Sequence, residues 1–302
     1  MVRRLLMKRH SSRSLMSNKK SHLARQCSTI EVDFSYYQQI IPVMIYCSAG
    51  TKTVTTWLFL GTAQVGRLAQ WVAQSCPPGV AVIPGAPHWF ANEDGSDIPE
   101  FIVRYTATMV DELTRRYGQP ASIIAESQAA GGVAVYLQKV RDSVGQLILL
   151  QPLGLTTHEY TRSFAPYSEL QHRVNHNFLH QIPSLFTDFR LLFNHAFLIR
   201  TIKPGTGKAR AQYEAGLVCS ILPSVKELFL DGTSIHIVSG EYDSLFPPDK
   251  IGSNLDAAGM RNIPIYIVPK TPHSPLSTRA GRRLLERAFM IANKELPFRK
   301  DH

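Results

Sequence analysis

The sequence predicts an α/β protein built on a mostly parallel sheet with helices on both faces. Short apolar runs of strand length alternate with stretches whose apolar residues recur at helical spacing, as in 98–117 and 276–293. The intervening segments are long enough for the helical crossovers that parallel neighbours require. Ser127, Asp243 and His273 each fall just past the end of such a run, the edge at which open parallel sheets bind ligands.

The chain of 302 residues carries a net charge of +10. Residues 1–30 hold eight of the 33 Lys and Arg and no acid, which leaves 25 basic against 23 acidic residues elsewhere. The rest is therefore nearly neutral, and the basic balance gives no reason to expect nucleic acid as a partner. The Arg- and Ser-rich start, without an apolar core of seven residues, reads as a disordered basic extension rather than a secretory signal. An organelle transit peptide or a tether to an anionic surface shares that composition and stays open. No later run reaches the ~18–20 apolar residues that cross a bilayer, so a soluble, cytoplasmic protein is expected. Cys27, Cys47, Cys76 and Cys219 are scattered without CxxC spacing, which reads as free thiols rather than a disulfide or zinc framework.

Taken in order, EVDFSYYQ and IPVMIYCS from Glu31 onward read as two antiparallel strands, and 54–60 as a buried strand ending at Gly61. A helical repeat runs over 64–74 through Val65, Leu68, Trp71 and Val72, and 80–83 is another short strand closed by PGAP. Phe101, Ile102, Tyr105, Met109 and Leu113 share one face of a helix opened by Pro99 and ended at Gly118. The strand 122–125 leads into a helix to Val140, and 147–150 is a further strand. Residues 156–230 then lack a clear strand but are rich in Phe, Leu and His. Alternation resumes with a strand at 235–238, a helix at 249–258, a strand at 263–268 and a last amphipathic helix.

The segment IIAESQAAGG, 123–132, turns abruptly at Ser127 from a buried strand into a helix. Such a strained strand-to-helix turn lifts a serine hydroxyl above the sheet and admits only small residues two places to either side, here Ala125 and Ala129. A serine hydroxyl needs a base within reach to act as a nucleophile. His273 in PKTPHSPLS suits that role, and Asp243 in SGEYDSLFPP would fix the imidazole tautomer. Glu241 and Asp249 are the rival acids. Pro87, His88 and Trp89 follow the fourth strand on the same edge, where His88 and Trp89, with Gly61 after the third strand, are candidates for a substrate pocket. His172, His176 and His180 recur every four residues without an acidic partner, which reads as a polar stripe rather than a metal site. KPGTGKA lacks the Ser or Thr that a phosphate loop places after its lysine, so neither metal nor cofactor is expected.

With serine, acid and histidine in that chain order, residues 35–295 resemble the α/β-hydrolase superfamily, with alanines where the usual elbow has glycines. The resemblance implies a hydrolase core at 31–155 and 231–302 and a helical cap at 156–230. It implies an oxyanion hole from the backbone of Gln128 and of the loop after the third strand, there Thr62, with Gly61 permitting the turn. Leu60 stands where that loop often has a histidine. The function implied is a serine hydrolase forming an acyl-enzyme on a carboxylic ester, thioester or similar small apolar acyl compound. A lyase or transferase using the same three residues, and a non-catalytic binding protein on this fold, remain open.

Overall fold

The structure, a computed structural model, describes residues 27–48, 51–61, 64–87, 97–140, 144–155, 176–177, 179–181, 188 and 220–294. The basic extension up to residue 26, Thr62, His88, Trp89, His172, Cys219 and most of the proposed cap lie outside the described residues.

Strands β1 (Ser28–Tyr36) and β2 (Gln39–Cys47) form an antiparallel hairpin in register from Ser28 opposite Cys47 to Tyr36 opposite Gln39. Both bury every second residue, as expected of strands covered on one face only. β3 (Thr56–Phe59), β4 (Val80–Ile83), β5 (Ser122–Glu126), β6 (Gln146–Leu150), β7 (Ser234–Tyr242) and β8 (Ile265–Pro272) complete one sheet in the order β1-β2-β4-β3-β5-β6-β7-β8. β2 meets β4 antiparallel, and all later pairings are parallel. In β3, β4 and β5 every residue is buried, which is why these segments read as apolar runs with polar residues only at their ends.

The period of two sorts the side chains of these strands between two cores. Trp57, Phe59, Ile123, Ala125, Leu147 and Leu149 pack beneath α2 (Ile98–Tyr117), α3 (Gln128–Val140), α4 (Leu222–Leu230) and α5 (Pro248–Ala257). Leu58, Leu60, Ile124, Ile148 and Leu150 pack on the other face against α1 (Arg67–Ser75) and α6 (Arg279–Ala292). α4, the last part of the stretch read as a cap, joins the first core and touches α3, with Ser224 Oγ donating to Gln138 Oε1 at 3.0 Å. Cys27, Cys47 and Cys76 are free thiols. Among the described residues no helix is long and apolar enough to cross a membrane.

Several boundaries differ from the sequence expectation, each for a long-range reason. α1 begins at Arg67 instead of 64, because Gln64 is drawn out of the helix by side-chain bonds to Glu126 and Ser277. β7 and β8 run on through SGEY and PKTP to Tyr242 and Pro272. Polar residues extend these strands because each continues to pair with the other, across an irregularity between Gly240 and Tyr242. A Cβ on Gly240 would lie 2.1 Å from the Thr271 carbonyl oxygen, so only glycine allows that approach. The chain leaves β3 toward β4 and leaves β5 toward β6, on opposite sides. The crevice between the carboxyl ends of β3 and β5 is thus the switch point at which such sheets place a ligand; Gly61 and Ser127 flank it.

Candidate active site

Ser127 directly follows β5, at φ 50°. Its N–H donates to the Leu150 carbonyl at 2.8 Å, and its own carbonyl accepts from Ala130 and Leu153, both at 3.2 Å. These bonds hold a left-handed geometry that a non-glycine residue adopts only at a cost of about 1–3 kcal/mol. Gly61, at the end of the neighbouring strand, packs directly beneath the turn: a Cβ there would lie 3.0 Å from Ser127 Cβ and 3.2 Å from the Glu126 carbonyl oxygen.

Tyr242 pairs with Pro272 across the parallel strands β7 and β8, so the next residues of each, Asp243 and His273, emerge side by side. Asp243 Oδ2 lies 2.9 Å from His273 Nδ1. Its other oxygen accepts from the backbone N–H groups of Leu245 at 3.0 Å and Phe246 at 2.9 Å. Both oxygens are thereby committed, and the carboxylate is fully buried. The His273 ring, edge-on to Phe246 at 5.2 Å, turns Nε2 toward Ser127 Oγ at 3.5 Å. Ser127, His273 and Asp243 therefore form one continuous row, and the tautomer with Nδ1 protonated leaves Nε2 as the acceptor facing the hydroxyl. Burial disfavours the imidazolium, but the charge and hydrogen bond of Asp243, aided by the charge of Glu126, raise the His273 pKa above its ordinary value.

Glu126 is a further residue of the site, and its signal in the sequence is a carboxylate that closes the apolar run Ile123, Ile124, Ala125. Buried beside the elbow, Glu126 accepts from the Gly61 N–H at 2.9 Å, from Gln64 Nε2 and from the Leu276 N–H. Burial raises its pKa to about 7, against the pull of those donors and of His273. Gln64 also accepts from the Ser277 N–H at 3.2 Å. One carboxylate and one amide thus tie together the loop after β3, the elbow and the segment leading into α6.

Gln128 opens α3 immediately after the serine and is buried. Beside it lies a largely apolar cleft lined by Phe59, Leu60, Pro84, Ala86 and Ile102. Among the described residues no three His, Cys, Asp or Glu side chains gather as a metal site would need. Of the histidine stripe, His176 lies edge-on to His180 at 4.7 Å, and His180 stacks on Tyr242 at 5.1 Å.

This architecture is the α/β-hydrolase fold. The chain is similar to a bromoperoxidase from Bacillus anthracis at a TM-score of 0.59 and 14% identity, over 88% of this chain and 100% of that one. It is similar to a thermophilic esterase from Thermogutta terrifontis at 0.52 and 14% identity, over 88% and 98%. An α/β hydrolase enzyme from a Medee basin deep-sea metagenome library reaches 0.60 at 11% identity, over 89% and 100%. No protein-family model and no curated protein matches the sequence.

Proposed function

We propose that the chain is a serine hydrolase working through an acyl-enzyme on a carboxylic ester, thioester or similar small apolar acyl compound. The observation that carries this reading is the row Ser127 Oγ, His273 Nε2 and Nδ1, Asp243 Oδ2, with spacings of 3.5 and 2.9 Å. Bonds of this kind are often long before substrate binds and tighten afterwards. Ser127 attacks the acyl carbonyl as its proton passes to His273 Nε2. The resulting imidazolium is stabilised by Asp243 and returns the proton to the leaving alcohol or thiol. Water then repeats the exchange and releases the acid.

Charge developing on the carbonyl oxygen is assigned to the Gln128 N–H and to a donor in the loop after Gly61, with Thr62 as the candidate. Gly61 itself serves as the foot of that loop, since its N–H is given to Glu126. The apolar residues beside Gln128, among them Phe59, Leu60 and Ile102, are the candidate contact for an apolar acyl group, with His88, Trp89 and a cap at 156–230 as further walls. The fold shared with proteins described as an esterase and as an α/β hydrolase enzyme supports hydrolysis over binding alone.

A fluorophosphonate probe tests the reading directly. Labelling of the wild type on Ser127, abolished in Ser127→Ala, is the expected result. A correctly folded wild type that never labels overturns it. p-Nitrophenyl esters of graded chain length then define the acyl class.

A further inference from the structure

His273 follows β8, whereas Ser127 follows β5, three strand spacings of roughly 4.8 Å away. An imidazole cannot bridge that span unless the chain leaving β8 is bent back over the ends of β7 and β6. Two prolines, Pro272 and Pro275, bracket His273 and Ser274; they have no N–H to give, and Pro275 restricts Ser274 to extended backbone.

The backbone groups of His273 and Ser274 are met by amide side chains instead. His273 N–H donates to Asn177 Oδ1 at 2.9 Å, and Asn177 Nδ2 donates to the His273 carbonyl at 3.0 Å. Gln181 Nε2 donates to the same carbonyl. On the opposite side, Ser274 N–H donates to Gln151 Oε1 and Gln151 Nε2 donates to the Ser274 carbonyl, both at 3.0 Å. An amide side chain carries donor and acceptor side by side and so pairs with the N–H and C=O of one residue as a neighbouring strand would. Gln151 is fully buried just past β6, at φ 45°, and its N–H bonds to Val238 of β7 at 2.8 Å. It is thus rooted over the two strands that the loop must cross.

We propose that Gln151 and Asn177 are positioning residues, an amide clamp gripping the backbone of two successive residues so that the His273 ring stands over Ser127. The role rests on the serine-hydrolase reading, since the ring is useful there only if it serves that hydroxyl. Neither residue touches the reacting atoms. Asn177, from the stretch read as a cap, and Gln151, from the sheet, jointly determine where the base sits. A misplacement of about 1 Å at such a base costs on the order of 10²-fold in rate.

The test uses the full chain with Asn177→Asp and Gln151→Glu, which keep shape and acceptor but lose the donor, beside Asn177→Ala and Gln151→Ala. The expected result is a kcat lower by on the order of 10²-fold with KM nearly unchanged. The loss should be equal for p-nitrophenyl acetate and octanoate, and fluorophosphonate labelling should slow to match. In the two alanine variants, which add no charge beside the ring, His273, followed in ¹⁵N-histidine spectra and assigned with His273→Gln, should titrate lower than in wild type. Its charged partners are Asp243 and Glu126, and a freed loop moves the ring away from both. Natively melting variants with wild-type kcat and unaltered ring titration overturn the proposal. So does a loss confined to the octanoate ester, which marks a pocket wall. If the wild type neither turns over esters nor labels, the hydrolase reading falls alone, and the ring titration still decides the clamp.

Discussion

Ser127 carries a conflict between stability and use, since φ 50° lifts its hydroxyl and is paid for by the rest of the fold. Ser127→Gly is therefore expected to abolish hydrolysis yet leave stability equal or higher. Relief of about 1–2 kcal/mol of left-handed strain competes with roughly 0.5–1 kcal/mol of added unfolded-state freedom. Urea denaturation measures the balance; a loss of more than about 1 kcal/mol would mean that the turn stores no strain. At the next residue in the row, Asp243 holds the His273 pKa up through its charge and its bond to Nδ1. As the imidazole must be neutral to accept a proton, the acid limb of kcat/KM should lie above the ordinary histidine value. Asp243→Asn should move that limb to lower pH while reducing kcat by on the order of 10⁴-fold. A limb that stays put would assign it to another group.

At the scale of the element, the position of α3 depends on how closely α2 approaches it. A Cβ on Gly132 would lie 2.5 Å from Thr106 Oγ1, 2.7 Å from Ile102 Cγ2 and 3.1 Å from the Ile102 carbonyl oxygen. Rotating a side chain does not clear the backbone contact. Gly132→Ala should therefore cost about 1–3 kcal/mol in urea denaturation, the range for overpacking, despite the better helix propensity of alanine. Unchanged stability would show that α2 and α3 can separate freely. The central strands and amphipathic helices were legible in the sequence because burial on one or two faces writes its own period into the residues. The ends of β7 and β8 were not, since SGEY and PKTP are strand only by virtue of each other. Gln64 shows the same limit: the helical repeat reads as beginning there, while its bonds to partners 62 and 213 residues away, which keep it outside α1, leave no local trace.

Across the whole molecule, the candidate site draws on chain segments that meet only in the folded state. Serine, acid and histidine were legible because each follows its own strand. Glu126, Gln151 and Asn177 act on distant backbone, 65, 123 and 96 residues away, and nothing in their local sequence declares it. Glu126 is the joint of this assembly, and it makes the stability of the fold depend on pH. Its carboxyl is raised by burial from 4.5 to about 7, so the folded state holds the proton more tightly than the unfolded chain. That contribution is complete below the unfolded value and is lost as pH rises through about 7. The raised His273 pKa acts in the same direction, its contribution being lost as pH climbs past the raised value. Stability should thus fall from pH ~5 to ~8, with Glu126 accounting for up to about 3 kcal/mol. Glu126→Gln keeps the shape and removes the charge, and its profile should be flatter across that window, retaining only the smaller decline from His273. Because the two groups face each other, the variant should also lower the His273 titration. Parallel wild-type and variant profiles would mean that Glu126 stays ionised throughout, held by Gly61, Gln64 and Leu276 strongly enough to outweigh its burial.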